Sequence, residues 1–539
     1  MNGIKNLCRT LSHIFDAVVA VLPFSLALIL SVNYLFLCGR SEEYVEHYIL
    51  LMLGHRFLAL AALLFVLALL IFLMCRWGTG VAVSSQVKLM DCLMLFLIAL
   101  GVRLCLYFPL REQLIPFSDF ARVWSIAQTP TQDDLAYYTL FPTYLNYAAV
   151  EKLLIRVFGA DYFVVIALAC IANSVSCALV YGVADSLGAS REVAIFSSAL
   201  YLLMPSGIFL CATGAPDLLV VMFDLAGLLC VLKGWANEGL RRIALFAMAG
   251  ICLGMGSALK SFGVIIILAF VVGIFFSLGS DETAGGLKGA ITLVISILVM
   301  CVGYSTVRTL ALNASNAFFS TSAEYGNSTT HFLLVGLNTQ GEGQISVGSL
   351  SRAYYQRFLS NGYDVAEAKT YALGLLRRDW DSGGVMAILN LFKQKLVWAW
   401  QDDVTPAGYF IEYESSGVTA GLASLITSWL TAFGPSLSQC FYMLLVFFCT
   451  IWCAASRKLG ESRGVRFIKV IVFGYFCLML LSEAQSRYKC LVLPLFCIGA
   501  ALGVNALQKW IIRIIRNEAR PAYSSSNSLR LSEPRHLRS

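Results

Sequence analysis

Three short segments carry charged side chains embedded among apolar ones, and their residue types suit the handling of a phosphate. In MGSALKSFG, Lys260 stands alone between two apolar runs. An ammonium there is a compact point charge that can anchor a span end or hold a phosphate. In LSEAQSRYKCLVLPLF, Glu483, Arg487, Tyr488 and Lys489 mark the entry to another apolar run. Glu483 and Arg487 stand four apart, the spacing of a helical ion pair, and an Arg fork is equally the partner of a lipid phosphate. The third segment runs from FPLREQLIPFSDFARVW to VEKLLIRVFGA and sets Asp119 and Arg122 three apart, among Phe120, Trp124, Tyr137, Tyr138, Tyr144 and Tyr147. Too polar to span a membrane and too aromatic to float free, it predicts two interfacial helices with rings at headgroup depth.

Metal chemistry has no sequence signature here. The five His are dispersed at 13, 47, 55, 331 and 536, without HExxH or Cys-x-x-Cys. The 17 Cys lie almost entirely in or beside apolar runs, so they read as small packing residues rather than a disulfide framework.

What must position these side chains follows from composition. Over 539 residues, 58% are hydrophobic and 13% charged, with a mean hydropathy of +0.75. A soluble chain of this size needs far more charge to cover its surface. The excess of Lys and Arg, 39 against 32 Asp and Glu, is scattered and forms no nucleic-acid stripe. Apolar runs long enough to cross a bilayer core of about 30 Å recur near 17–37, 57–75, 90–109, 162–181, 192–213, 216–233, 243–259, 262–279, 287–306, 436–454, 466–482 and 489–507. The fold expected is an all-α polytopic membrane protein of about twelve spans. The first run lacks a cleavage pattern and leads into a second, so it reads as a span rather than a signal peptide.

Placing the N-terminus in the cytoplasm gives the inner side about twice as many Lys and Arg as carboxylates, the sense of the positive-inside rule. Both termini are then cytoplasmic, and the connection 110–161 and the long loop 307–435 face outward. Five regions follow: two spans in 1–89, a transmembrane core over 90–306, the outer loop 307–435 with amphipathic helices, the last spans over 436–507, and a basic tail over 508–539. The tail is Ser-rich and aromatic-poor from Asn517 onward and is expected to be disordered. Most ionisable residues in the spans, such as Asp91 and Asp217, sit near predicted ends. Asp224 and Arg103 lie inside, Arg103 close enough to the surface to snorkel.

An outward Asp in PFSDFARVW, then FPTYLNYAAVEKLLIRVFG, a long outer loop with THFLLVGLN, and a late SEAQSRYKCLVLPL together resemble bacterial membrane glycosyltransferases of the GT-C fold. The protein mannosyltransferase-like and aminoarabinose-transferase-like families, which use polyprenyl-phosphate sugars, are the nearest in kind. The resemblance spans about 90–507 and implies a GT-C-like bundle in a bacterial plasma membrane with its active site facing outward. It implies that Asp119 is the catalytic carboxylate. Protein mannosyltransferases carry an adjacent acidic pair, whereas Asp119 is followed by Phe120, so the acceptor stays open among envelope glycan, lipid and protein.

Such a donor already carries a stable leaving group. The enzyme needs a carboxylate to take a proton from the incoming hydroxyl and a cation to hold the phosphate, and attack opposite the phosphate inverts the anomeric centre. Lys260, Arg487 and Lys489 are candidate cations, with Arg308 next in line, and Arg122, Tyr144, Glu483, His331 and Asn338 are candidate donor contacts. A polyprenyl tail leaves the bilayer only at about 0.8 kcal/mol per methylene, which pins the site to the membrane surface. The Asn-, Ser- and Gly-rich stretch ALNASNAFFSTSAEYGNSTTHFLLVGLNTQGEGQ is expected to be a mobile acceptor-binding segment. No cofactor is implied, and divalent-ion dependence stays open. The rival reading is a transporter or flippase for an envelope precursor, which would need polar groups converging at midplane, discontinuous helices and internal repeats.

Overall fold

The computed structural model describes residues 84–277, 286–339, 350–406, 422–459 and 462–518 nearly throughout, with parts of 10–37 and 56–68. All regular elements among the described residues are helices. Eight are long and apolar enough to span a membrane, and a ninth candidate is a pair bent by 49°. Two shorter apolar helices, Leu22–Tyr34 and Gly263–Phe276, fall on the first and eighth expected runs, while most of 57–75 lies outside the described residues. The chain is a multi-pass membrane protein.

In chain order the helices are α1 (Leu22–Leu37), α2 (Ser85–Tyr107), α3 (Ser118–Gln128), α4 (Gln132–Thr139), α5 (Pro142–Phe158), α6 (Phe163–Ser186), α7 (Arg191–Leu202), α8 (Pro205–Cys211), α9 (Asp217–Trp235) and α10 (Gly239–Leu259). They continue as α11 (Gly263–Ser277), α12 (Gly286–Phe319), α13 (Tyr325–Leu337), α14 (Leu350–Ser360), α15 (Val365–Trp400), α16 (Leu422–Leu459), α17 (Arg463–Leu481) and α18 (Leu493–Glu518). A 3₁₀ turn, Ser486–Leu491, precedes α18.

Local chemistry sets the breaks. Ser84 caps α2 by accepting from Val87 N at 3.4 Å. The expected single span 192–213 is instead α7 and α8, because Pro205 holds Met204 extended (ψ 113°) and starts a new helix. The last span begins at Leu493 rather than 489, leaving Lys489 in the 3₁₀ turn. Arg103 does not snorkel. It is fully buried, donating to Ala99 O at 3.0 Å and to Asn173 Oδ1 on α6 at 3.1 Å.

Three helices, α3 to α5, replace the two expected between 117 and 156, since Pro142 starts a third. The stretch expected to be mobile is largely helical, as the end of α12 and all of α13, with 340–349 outside the described residues. Its Asn and Thr side chains bond to structure: Asn316 and Thr321 join, and Asn327 donates to Thr139 O at 3.1 Å. Helices α12 and α16 also run across the expected boundaries at 306 and 435. The tail beyond Glu518 lies outside the described residues.

The two largest apolar cores among the described residues run one through the spans and one joining α3 to α6 with α13 to α15. Large side chains such as Leu89, Leu97, Leu298 and Val302 point outward from spans, as a lipid-facing surface requires. Among the described cysteines only Cys105 is exposed. Helices α10 and α12 approach backbone to backbone: a Cβ at Gly250 would collide with Met300 O, and one at Gly254 would lie 2.8 Å from Tyr304 O. That contact fixes where Tyr304 and Arg308 emerge.

Candidate active site

The end of α10, the starts of α9 and α11, and the end of α17 meet at one end of the bundle, beneath α3, α5 and α13. Between them lies a cleft of about 460 Å³, a size suited to a small polar head on an apolar chain. Phe120, Thr143, Tyr144, Asp217, Lys260, Ser261, Tyr304, Arg308, Glu483, Arg487 and Tyr488 supply its polar and aromatic lining. Leu259, Val264, Phe332, Leu333, Leu478, Met479 and Leu481 are prominent in its apolar part.

Lys260 caps α10 in extended conformation (φ −160°, ψ 124°), which turns its side chain away from the helix axis. Its Nζ lies 2.6 Å from Asp217 Oδ1 and 3.9 Å from the centre of the Tyr488 ring. Asp217 is buried in the first turn of α9, where the helix dipole favours a carboxylate. Arg487, only 11% exposed, lies 3.9 Å from Asp119 Oδ2 and packs near the Phe120 and Tyr488 rings. Asp119 itself is 54% exposed in the first turn of α3. Arg308, on α12, donates to Ser261 Oγ at 2.9 Å and stacks on Tyr325 at 3.9 Å. The Tyr325 hydroxyl in turn accepts from Asn146 at 2.9 Å and donates to Arg308 O at 3.0 Å, and Arg308 Nε is buried without a hydrogen-bond partner.

Glu483 accepts from Tyr488 Oη at 2.8 Å and from Gln485 Nε2 at 2.5 Å. Burial raises its carboxyl above the usual range, opposed by the Tyr488 hydrogen bond and Arg487. Burial, with the Asp119 charge adding to it, pushes the Tyr144 phenol well up, so this group presents a hydroxyl rather than a phenolate.

The structure thus brings Lys260, Arg487, Tyr144 and Glu483 to one cleft, with Asp119 at its rim. It does not bring the remaining candidates there. Lys489 points to the other side of the 3₁₀ turn, donating to Ala399 O at 2.9 Å and to Asp402 O, and burial lowers its pKa. Arg122 pairs with Asp134 at 3.2 Å, tying α3 to α4. His331 lies edge-on to Phe141 at 4.6 Å, and burial takes its imidazole down to about 4, so it is neutral. Asn338 is buried at the C-cap of α13. The helical spacings had suggested Asp119 with Arg122 and Glu483 with Arg487; the ion pairs described are Asp119 with Arg487 and Arg122 with Asp134.

Asp217 is a cleft residue that spacing did not single out, and Arg308 stood only in reserve behind Lys260 and Arg487. The signal was present for Asp217, an acid opening an apolar run at the bundle end that holds Lys260. Arg308 was a weaker candidate because it lies just past an expected span end, on a helix that continues to Phe319. Among the described residues no three of His, Cys, Asp and Glu gather as a metal site.

Residues 145–308 match the model of the family described as dolichyl-phosphate-mannose-protein mannosyltransferase. The match supports a membrane glycosyltransferase of GT-C-like fold, in the class that draws sugar from a polyprenyl phosphate. It takes in Asp217, Lys260 and Arg308, while Asp119, Glu483 and Arg487 lie beyond it. No curated protein matches the chain.

Proposed function

We propose that this chain transfers a sugar, with inversion, from a polyprenyl phosphate to an acceptor hydroxyl at the outer face of a bacterial plasma membrane, both termini being cytoplasmic. The observation that carries this reading is the gathering of three cations, Lys260, Arg308 and Arg487, in one cleft at the bundle end, with the Asp119 carboxylate 3.9 Å from Arg487.

The acceptor oxygen attacks the anomeric carbon, its proton passes to Asp119, and the anomeric C–O bond breaks toward the phosphate. The leaving polyprenyl phosphate gains the negative charge, which Lys260, Arg308 and Arg487 stabilise. Arg308 is the cation of the three without a carboxylate in its described contacts, so a phosphate can join it without displacing a protein anion. Asp217 and Tyr488 keep the Lys260 ammonium in place. The neutral Tyr144 hydroxyl and Glu483 are placed to bond sugar hydroxyls. A transporter would need polar groups converging within the spans on a substrate path, and the buried Arg103 is instead tied to Ala99 O and Asn173.

The test uses purified protein in nanodiscs with a short-chain polyprenyl-phosphate sugar. Sugar should leave the lipid for a hydroxyl acceptor with inverted anomeric configuration by NMR. Carriage of intact donor across a sealed bilayer, with no cleavage of the sugar–phosphate bond for any acceptor, would replace this reading with transport.

A further inference from the structure

One wall of the cleft is made from two helix ends that a third helix holds. Helix α13 contributes Phe332 and Leu333, and the end of α17 and the residues just after it contribute Leu478, Met479, Leu481, Ser482 and Glu483. They cross at Gly336, where a Cβ would lie 2.5 Å from Leu481 O. Each helix ends there with carbonyls that have no partner within the helix. Helix α15 supplies the partners. The fully buried Lys395 donates from Nζ to Gly336 O at 2.6 Å and to Leu480 O, placing one ammonium against the negative ends of two helix dipoles. Sixteen residues earlier on the same helix, Asp379 accepts from Thr339 N and Thr339 Oγ1, both at 2.8 Å, and Trp380 Nε1 donates to Leu337 O at 2.8 Å.

Both halves of α15 reach the same helix end because the helix bends at Gly384, whose φ of 64° and ψ of −174° suit glycine and little else. Burial brings Lys395 down to about 7, opposed by the nearby Glu483 charge, so the contact is held against a desolvation cost.

We infer that Lys395 is a positioning residue for the donor: it clasps α13 to α17 and so sets the width of the cleft between Phe332 and Ser482. The inference rests on the glycosyl-transfer reading. The clasped wall carries neither Asp119 nor the three phosphate cations, which sit on other elements. Loosening it therefore changes how the donor fits while leaving the reacting groups in place.

Three variants test this in the full-length protein in nanodiscs: Lys395→Met, which leaves two carbonyls without their donor; Gly336→Ala, which forces the crossing apart without touching a charge; and Trp380→Phe, which removes one hydrogen bond. Lys395→Met and Gly336→Ala should each raise the KM for a short-chain polyprenyl-phosphate sugar about tenfold, with kcat nearly unchanged, and Trp380→Phe about twofold. If the first two fail to fold, Trp380→Phe decides the matter by the same split. A folded variant with wild-type KM, or one that loses kcat at constant KM, overturns the clasp. A wild-type protein without transfer activity instead overturns the functional reading, and the two failures are distinct.

Discussion

On the side of the cleft formed by α10 and α12, backbone meets backbone, with Gly250 and Gly254 leaving no room for a side chain against Met300 and Tyr304. On the side formed by α13 and α17, helix ends are held by polar side chains of α15. The first side presents Lys260 and Arg308, whose placement tolerates little error if they are to meet a phosphate. The second presents Phe332, Leu333, Leu478, Met479 and Leu481, with Ser482 and Glu483 at its edge, a largely apolar wall suited to a lipid-linked head. Close packing fixes charges, whereas a hydrogen-bonded clasp fixes a boundary that can shift by small amounts.

The largest effect is expected at the rim between the two sides. Asp119→Asn keeps the size of the side chain and removes its basicity, so turnover should fall by about two to four orders of magnitude while donor binding persists. Near-normal turnover in the stable variant, with Arg122→Gln the more damaging change, would make Asp119 a structural residue of α3.

The packed side should be sensitive to charge. Arg308→Gln is expected to weaken binding of a short-chain polyprenyl phosphate by about 2 to 5 kcal/mol without unfolding the protein, because no buried carboxylate loses its partner. Lys260→Met should weaken binding and also lower thermal stability, since Asp217 is left buried without its ion pair. Titration by calorimetry together with melting curves separates these cases. Equal stability loss in both variants would remove the distinction drawn between the two cations.

Packing itself can be broken with one methyl group. Gly250→Ala should cost about 1 to 3 kcal/mol through overpacking against Met300, whereas Gly101→Ala, which meets nothing within 4 Å, should not destabilise the protein. Similar unfolding profiles for the two would argue against backbone contact as the organising feature of α10 and α12.

The smallest effect concerns the clasped side. His331 sits at about 4 in the folded protein, below its ordinary value of 6.5, so between these values the unfolded chain binds more protons. Stability should therefore fall as pH drops from about 6.5 to 4, by on the order of 1 kcal/mol after partial solvation. His331→Gln should flatten that slope in melting curves taken across the window, and an unchanged slope would assign the acid sensitivity to other groups.

Most spans were readable because hydrocarbon demands long apolar runs with charges gathered near their ends, although the helices run past the expected ends at 306 and 435. That logic sufficed to single out Lys260, Tyr144, Glu483 and Arg487. Their partners were not readable, since Asp217 meets Lys260 across 43 residues of chain and only folding brings Asp119 to Arg487. Local spacing favoured the nearer partners, Arg122 and Glu483. The break before Pro205 was hidden by an apolar run continuous on both sides, and the helical character of 325–337 by a composition that favours loops.

Arg103 bears on how the chain is built into the bilayer. Its guanidinium is charged at any physiological pH, and α2 emerges with it long before Asn173 of α6 has been made. An isolated α2 would hold that charge in lipid at a cost of at least several kcal/mol. The early helix is therefore expected to stay near the insertion machinery, or close to the aqueous boundary, until α6 arrives to receive it. The order of synthesis then becomes part of the assembly route, and Asn173→Leu should lower the yield of inserted protein more than it lowers the activity of the molecules that do assemble.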